Sequence, residues 1–214
     1  MSCRKCPRLV SYREKVAAEK TKRYAEWNYW GRPVPGFGDR RAELVIIGLA
    51  PAAHGGNRTG RVFTGDLSAK FMVDCLYEAG FTSQPNSDSM DDGLHMINSY
   101  MLAAVRCVPP GDRPARDEAL NCFPFLEREL KLLKHAKVVL LLGKFAFDSY
   151  VRFLRETLGL NSRGMKFSHG AVYRIEGHPA LYASYHPSPR NTNTGMLTRL
   201  MFLDLLASIK KELP

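Results

Sequence analysis

No apolar run in the sequence approaches the ~20 residues that a membrane span needs; the longest, Leu44 to Ala53, is broken by Gly48 and Pro51. A transmembrane helix is excluded, and no membrane partner is expected. The N-terminal stretch Met1-Ser2-Cys3-Arg4-Lys5-Cys6 lacks the apolar core of a secretory signal, so the expected compartment is the cytoplasm. Internal repeats, low-complexity tracts and linkers are also missing, which excludes collagen-like, mucin-like and disordered chains. Acidic residues are in deficit: 21 Asp+Glu face 31 Lys+Arg, a formal net charge of +10. The commonest polyanion in the cytoplasm is nucleic acid, which makes it the expected partner.

What remains is an ordinary globular composition, 45% hydrophobic and 24% charged over 214 residues. A chain of this length buries roughly 70% of its unfolded surface, enough for one core, so residues 1–214 are read as a single domain. Leu9, Tyr12, Val16 and Ala17, followed by Tyr24 and Trp27, predict one amphipathic helix over Arg8 to Trp30. A Gly/Pro-dense loop, Gly31 to Asp39, then leads to a buried strand at Leu44 to Gly48. Further strands are expected at Tyr100 to Val105, Val138 to Gly143 and Leu181 to Tyr185. Helical spacing lies between and after them: from Asp66 or Ser68 to Gly80, over Glu118 to Lys134 with a kink or restart at Pro124, over Phe145 to Leu158, and over Leu197 to Leu213. Short apolar strands separated by helices predict an α/β fold, a three-layer α/β/α sandwich around a largely parallel sheet. In such sheets ligands bind beyond the carboxyl ends of the strands, which singles out the loops after Gly48, Val105 and Tyr185.

Of the five cysteines, Cys75 falls on the apolar face of a predicted helix and reads as a small buried hydrophobe. The others form the pairs Cys3/Cys6, spaced C-x2-C, and Cys107/Cys122. In a reducing compartment four such thiols read as metal or cluster ligands, and spacing alone fits both tetrahedral zinc and a [4Fe-4S] cube.

The loop after the first strand, GLAPAAHGGNRTGRVFTGD at 48 to 66, has neither the G-x-G-x-x-G fingerprint nor a P-loop. It offers glycines for close backbone approach, Arg58 and Arg61 for phosphates, an aromatic face at Phe63 and a carboxylate at Asp66. The loop after the fourth strand, HPSPRNTNTG at 186 to 195, places His186 directly at a strand end beside two prolines.

These two motifs, with VRCVPP at 105 to 110 and the cysteine framework, resemble the uracil-DNA glycosylase superfamily, and within it family 5, the B-type enzymes. The resemblance covers nearly the whole chain. It implies a central four-stranded parallel sheet, a structural [4Fe-4S] cluster on Cys3, Cys6, Cys107 and Cys122, and excision of uracil and other deaminated bases from DNA; a monomer is expected. The uracil specialists of the superfamily carry an acidic residue in the first motif; here the matching segment, Leu49-Ala50-Pro51-Ala52, has none, and Asp66 takes the role of orienting water. Their Asn at the end of the second strand is also missing from Ala103-Ala104-Val105, so hypoxanthine and related lesions are expected substrates beside uracil. His186 is the expected donor to a base carbonyl, and Phe63 the platform for the extruded base. Ala52, His54, Asn57 and Asp112 complete the expected substrate contacts. Arg58, Arg61, Arg190 and Asn191 are expected on the DNA, with Met196 or Leu197 as the wedge that fills the vacated stack. The competing readings are a non-catalytic iron-sulfur nucleic-acid-binding module, a strict uracil specialist, and a zinc-stabilised nucleotide hydrolase.

Overall fold

Four strands of five residues form the centre of the molecule, and almost every residue in them is buried. They are β2 (Leu44–Gly48), β3 (Ser99–Ala103), β4 (Val138–Leu142) and β6 (Ala180–Ser184) in a computed structural model that describes residues 2–213. Near-continuous apolar runs of this kind suit parallel strands covered on both faces. All three pairings among them are parallel, in the order β3-β2-β4-β6, with Ile46 opposite both Met101 and Leu140. Two antiparallel edge strands extend the sheet to six: β1 (Phe37–Gly38) on β3 and β5 (Val172–Tyr173) on β6. At two residues each they are too short to carry a period, which is why the sequence pattern yields only the parallel four.

Alternation along the strands divides the core in two. Leu44, Ile46, Met101, Leu140 and Tyr182 face α3 (Leu67–Glu78) and α7 (Arg199–Lys210) through Met72, Leu76, Phe202 and Leu206. Val45, Ile47, Leu102, Leu141 and Leu181 face α4 (Arg116–Leu132) and α5 (Lys144–Glu156) through Leu126, Phe147, Tyr150 and Leu154. The three-layer α/β/α sandwich is therefore as expected. β2 and β4 are neighbours whose chains leave toward opposite faces, so the crevice beyond their carboxyl ends is a topological switch point.

The helices depart from the sequence pattern in three places. α1 spans Pro7–Glu19, starting on a proline at its first turn and ending where Lys20 enters the left-handed region at φ 54°. Tyr24 and Trp27 keep helical spacing, yet they belong to a short 3-10 turn (Lys22–Tyr24) and the irregular chain after it, because they cover the guanidinium of Arg58 instead of a sheet face. α4 runs unbroken through Pro124; the carbonyl that loses its donor belongs to Leu120, on an exposed stretch. α7 begins at Arg199, capped by the Thr198 hydroxyl on the Met201 amide at 3.2 Å.

Candidate functional site

The loop that follows β2 folds back onto the sheet end. Phe63 adopts φ 47° and lays its ring on Gly48, where a Cβ would stand 2.4 Å from Cζ. A short helix, α2 (Gly56–Thr59), turns Arg58 inward, where Nε donates to the carbonyl of His54 at 2.6 Å and Nη2 to that of Gly65 at 3.3 Å. One side chain thus ties the two ends of the loop, with the Tyr24 and Trp27 rings each 4.0 Å from its guanidinium carbon. Arg61 is held by Asp92 at 2.7 Å, Thr64 at 2.8 Å and the Ser87 hydroxyl at 3.1 Å. Both arginines are only 3% exposed. The phosphate contacts expected of Arg58 and Arg61 are therefore corrected: their donors are turned into the protein and build the loop. Arg190, on α6 (Pro189–Asn193), is exposed and keeps that expectation.

Asp66 ends the loop and caps α3, its Oδ1 accepting from the Ala69 amide at 2.9 Å. Its Oδ2 packs against Gly55, where a Cβ would stand 2.1 Å away, so only glycine leaves room for the carboxylate. Burial raises the Asp66 pKa and the charge of Asp112 pushes the same way, while the amides of Ala69 and Ser68 and the charge of Arg58 oppose them. His186 leaves the end of β6 beside Gly143, at the end of β4. Burial lowers its pKa to about 4, against a small upward pull from Asp112, so the imidazole is neutral at physiological pH and can donate from one nitrogen. Asn191 donates to the His186 carbonyl at 2.8 Å and so anchors the loop in place of the DNA contact expected of it. Asp112, exposed on the 3-10 turn Pro110–Asp112 at φ 56°, is a second carboxylate, whose charge reaches both Asp66 and His186.

The remaining expectations divide. Ala52 is half-buried and its carbonyl accepts from the Asn57 amide. His54 pairs Nδ1 with the Tyr29 hydroxyl at 3.0 Å, which holds the loop. Asn57 is 1% exposed; its Nδ2 donates to the Arg13 carbonyl of α1 at 3.2 Å and ties the loop to α1, while its Oδ1 has no hydrogen-bond partner among the described residues. Met196 is 53% exposed whereas Leu197 is fully buried, so of the two only Met196 is free to meet a partner. Sequence reasoning missed Tyr24, Trp27 and Tyr29, since a helical period hid aromatic residues that pack on a loop, and it missed Ser87 and Asp92, which hold Arg61 from a polar stretch.

Cys3, Cys6, Cys107 and Cys122 are all unbridged and line one cavity of about 900 Å³ between α1, α4 and the chain after β3. Three sulfurs have donors: Arg13 Nη1 lies 3.0 Å from Cys107 Sγ, the Arg106 amide 3.3 Å from Cys122 Sγ, and Asn121 Nδ2 3.6 Å from Cys6 Sγ. Among the described residues, no three His, Cys, Asp or Glu side chains converge closely enough to hold a single metal ion. No helix among them is long and apolar enough to cross a membrane.

A carboxylate on the loop after β2 and a neutral imidazole at the end of β6, both in the field of Asp112, lie beyond the carboxyl ends of a parallel sheet, which is where α/β enzymes hold their substrates. Known proteins narrow that class. The family model described as the Uracil DNA glycosylase superfamily matches residues 35–210. A protein of Thermus thermophilus named type-5 uracil-DNA glycosylase is 47% identical over 98% of this chain and 93% of its own length. Proteins of the same name from Pyrobaculum aerophilum and Mycobacterium tuberculosis are 46% and 43% identical, over 92% and 98% of this chain and 83% and 77% of their own lengths. The chain belongs to the uracil-DNA glycosylase superfamily, among relatives of the type-5 group.

Proposed function

We propose that the protein is a monofunctional DNA glycosylase that hydrolyses the N-glycosidic bond of uracil in DNA and so initiates base excision repair. The observation that carries this reading is the placement of a half-buried carboxylate, Asp66, and a neutral, half-buried imidazole, His186, beyond the ends of the parallel strands, both in the field of Asp112. Glycosidic cleavage puts positive charge on the sugar and negative charge on the departing base. His186 donates to a base carbonyl as that charge grows, and Asp66 orients water on the sugar and stabilises its cationic character. Phe63 receives the extruded base, whose unstacking costs a few kcal/mol and least at mispairs. Arg190 and the overall positive charge hold the phosphates, and Met196 fills the gap.

The strand end that faces the base edge is Leu102-Ala103 followed by Ala104-Val105, buried and without an amide side chain. A floor of small apolar residues supports acceptance of hypoxanthine beside uracil. Cys3, Cys6, Cys107 and Cys122 would hold a [4Fe-4S] cluster, for which the shared cavity and the donors on three sulfurs are the fit; each thiolate binds its own iron, so the four need not converge on one ion as zinc requires. When bound, it supplies a cross-link among the N-terminus of α1, the chain after β3 and α4. The whole site lies within one chain, consistent with a monomer, and binding to DNA places the enzyme on the nucleoid.

Alkaline strand cleavage of duplexes carrying one uracil, one hypoxanthine or no lesion tests the reading. Cleavage of both lesion duplexes is expected. Uracil alone would overturn the broad specificity, and tight binding with no cleavage would leave a non-catalytic nucleic-acid-binding module. Absorption near about 400 nm, lost on substitution of Cys122 by serine, is expected of the cluster and not of zinc.

A further inference from the structure

With Arg58 and Arg61 turned inward, the rim of the catalytic loop needs another source of positive charge, and the chain between α1 and the first edge strand supplies it. Residues 20–31 run as a strap across α2. Their backbone is pinned by the Trp30 amide on the Arg58 carbonyl at 2.9 Å and the Gly31 amide on the Asn57 carbonyl at 3.0 Å. The inner face, Tyr24, Trp27 and Tyr29, packs on Arg58 and His54. Since Arg58 reaches the carbonyl of Gly65, the residue before Asp66, the strap lies one side chain away from the catalytic carboxylate.

The outer face is different in character. Lys22 and Arg23 are exposed and, among the described residues, form no ion pair, while the Arg23 guanidinium lies 5.3 Å from the Tyr24 ring centroid. Trp27 is 36% exposed although its ring also carries Arg58. Residues 20–28 hold three basic side chains against one acid, Glu26. Basic residues interleaved with aromatic ones on a pinned, exposed strap suit a nucleic-acid strand, with cations for phosphates and an indole for a base or sugar.

We infer that this strap binds the phosphate backbone of the strand that delivers the damaged nucleotide, Lys22 and Arg23 meeting phosphates beside it and Trp27 packing on the flank. The inference rests on DNA as the substrate of the cleft. It explains how a loop whose own arginines are internal still lies in a positive field.

The test is the double substitution Lys22→Gln/Arg23→Gln, which removes two exposed charges and leaves the stack on Arg58 intact. Affinity for a duplex carrying a tetrahydrofuran abasic analogue is measured over a salt series. The slope of log K against log salt becomes shallower by about 0.9 for each phosphate that is no longer neutralised, while the single-turnover excision rate at saturating enzyme stays within about twofold. A slope equal to that of the wild type overturns the inference. Independently, Trp30→Phe leaves Trp27 as the sole indole, and acrylamide quenching of its emission falls when the duplex binds; unchanged quenching overturns the role of Trp27. If the wild type releases no uracil while the change in slope persists, the glycosylase reading fails and the strap's hold on DNA stands.

Discussion

Replacing Asp66 by asparagine separates chemistry from structure at one position. The carboxylate does two things: it caps α3 through the Ala69 amide, and its charge lies at the switch-point crevice. Asparagine caps a helix as well as aspartate does, so the first function survives within a few tenths of a kcal/mol. The second is abolished, and loss of a group that positions and activates water lowers the single-turnover rate by about 10²–10⁴-fold. Burial raises the Asp66 pKa in the folded state, so its neutral form is the one folding favours. Stability from this group is full below its unfolded pKa of about 3.9 and is lost as pH rises through the higher folded value. At pH 7 the carboxyl group therefore costs stability, and Asp66→Asn melts above the wild type; that advantage shrinks as pH falls toward 4 or so. Asp66→Ala loses the cap, about 1 kcal/mol, and melts about 2–4 °C below the asparagine variant. Rapid-quench kinetics on a uracil duplex and thermal melts at several pH values measure both effects. Turnover within tenfold of the wild type, or lost activity together with a lowered melting point at pH 7, would refute the assignment.

Gly55→Ala puts a methyl 2.1 Å from Asp66 Oδ2 and 3.0 Å from the Thr64 carbonyl, so the carboxylate moves and excision falls by about 10²-fold with DNA affinity kept; unchanged turnover would show that the loop yields at no cost. His186 has a folded pKa of about 4 against an ordinary value near 6.5, so its contribution, of order 3 kcal/mol, is present above pH 6.5 and lost as pH falls toward 4. His186→Gln should flatten the dependence of stability on pH over that window, as urea melts would record. Arg61→Met leaves the half-buried Asp92 with only the amides of Asp88, Ser89 and Leu94 and costs about 1–3 kcal/mol by calorimetry, with the salt slope of DNA binding unchanged. Arg190→Ala does the reverse, lowering that slope by about 0.9 with no change in melting point.

The parallel core was legible because buried strands leave unbroken apolar runs, and LVIIG and VVLLLG lie within a residue of where the strands form. The crevice was legible for a related reason: parallel order fixes which strand ends carry the site, and the loops that hold Asp66 and His186 both leave those ends. What escaped were contacts between residues far apart in sequence. Nothing in the motif around Arg61 reveals that Asp92 waits 31 positions on, or that Tyr24 and Trp27 close over Arg58 from before the strand. A basic residue in a polar loop reads as a surface charge until its partners are placed. The choice between Met196 and Leu197 likewise needed the last helix to be docked, since neighbours in a chain are told apart only by which one meets the core.

The buried arginines bear on the chemistry even without touching DNA. A carboxylate pressed against Gly55 and facing Asp112 would drift toward its protonated form, which neither orients water as a base nor stabilises a sugar cation. Two influences oppose that drift: the amides at the start of α3 and, more weakly, the positive charge of Arg58. Arg58 can exert that charge because among the described residues it forms no ion pair; carbonyls and aromatic faces surround it, and its Nη1 has no partner there. Arg61, by contrast, is neutralised by Asp92 and serves the shape of the loop alone. Two arginines three residues apart thus divide the work. One folds the loop, and the other both folds it and adds a positive charge that favours the ionised form of its terminal carboxylate.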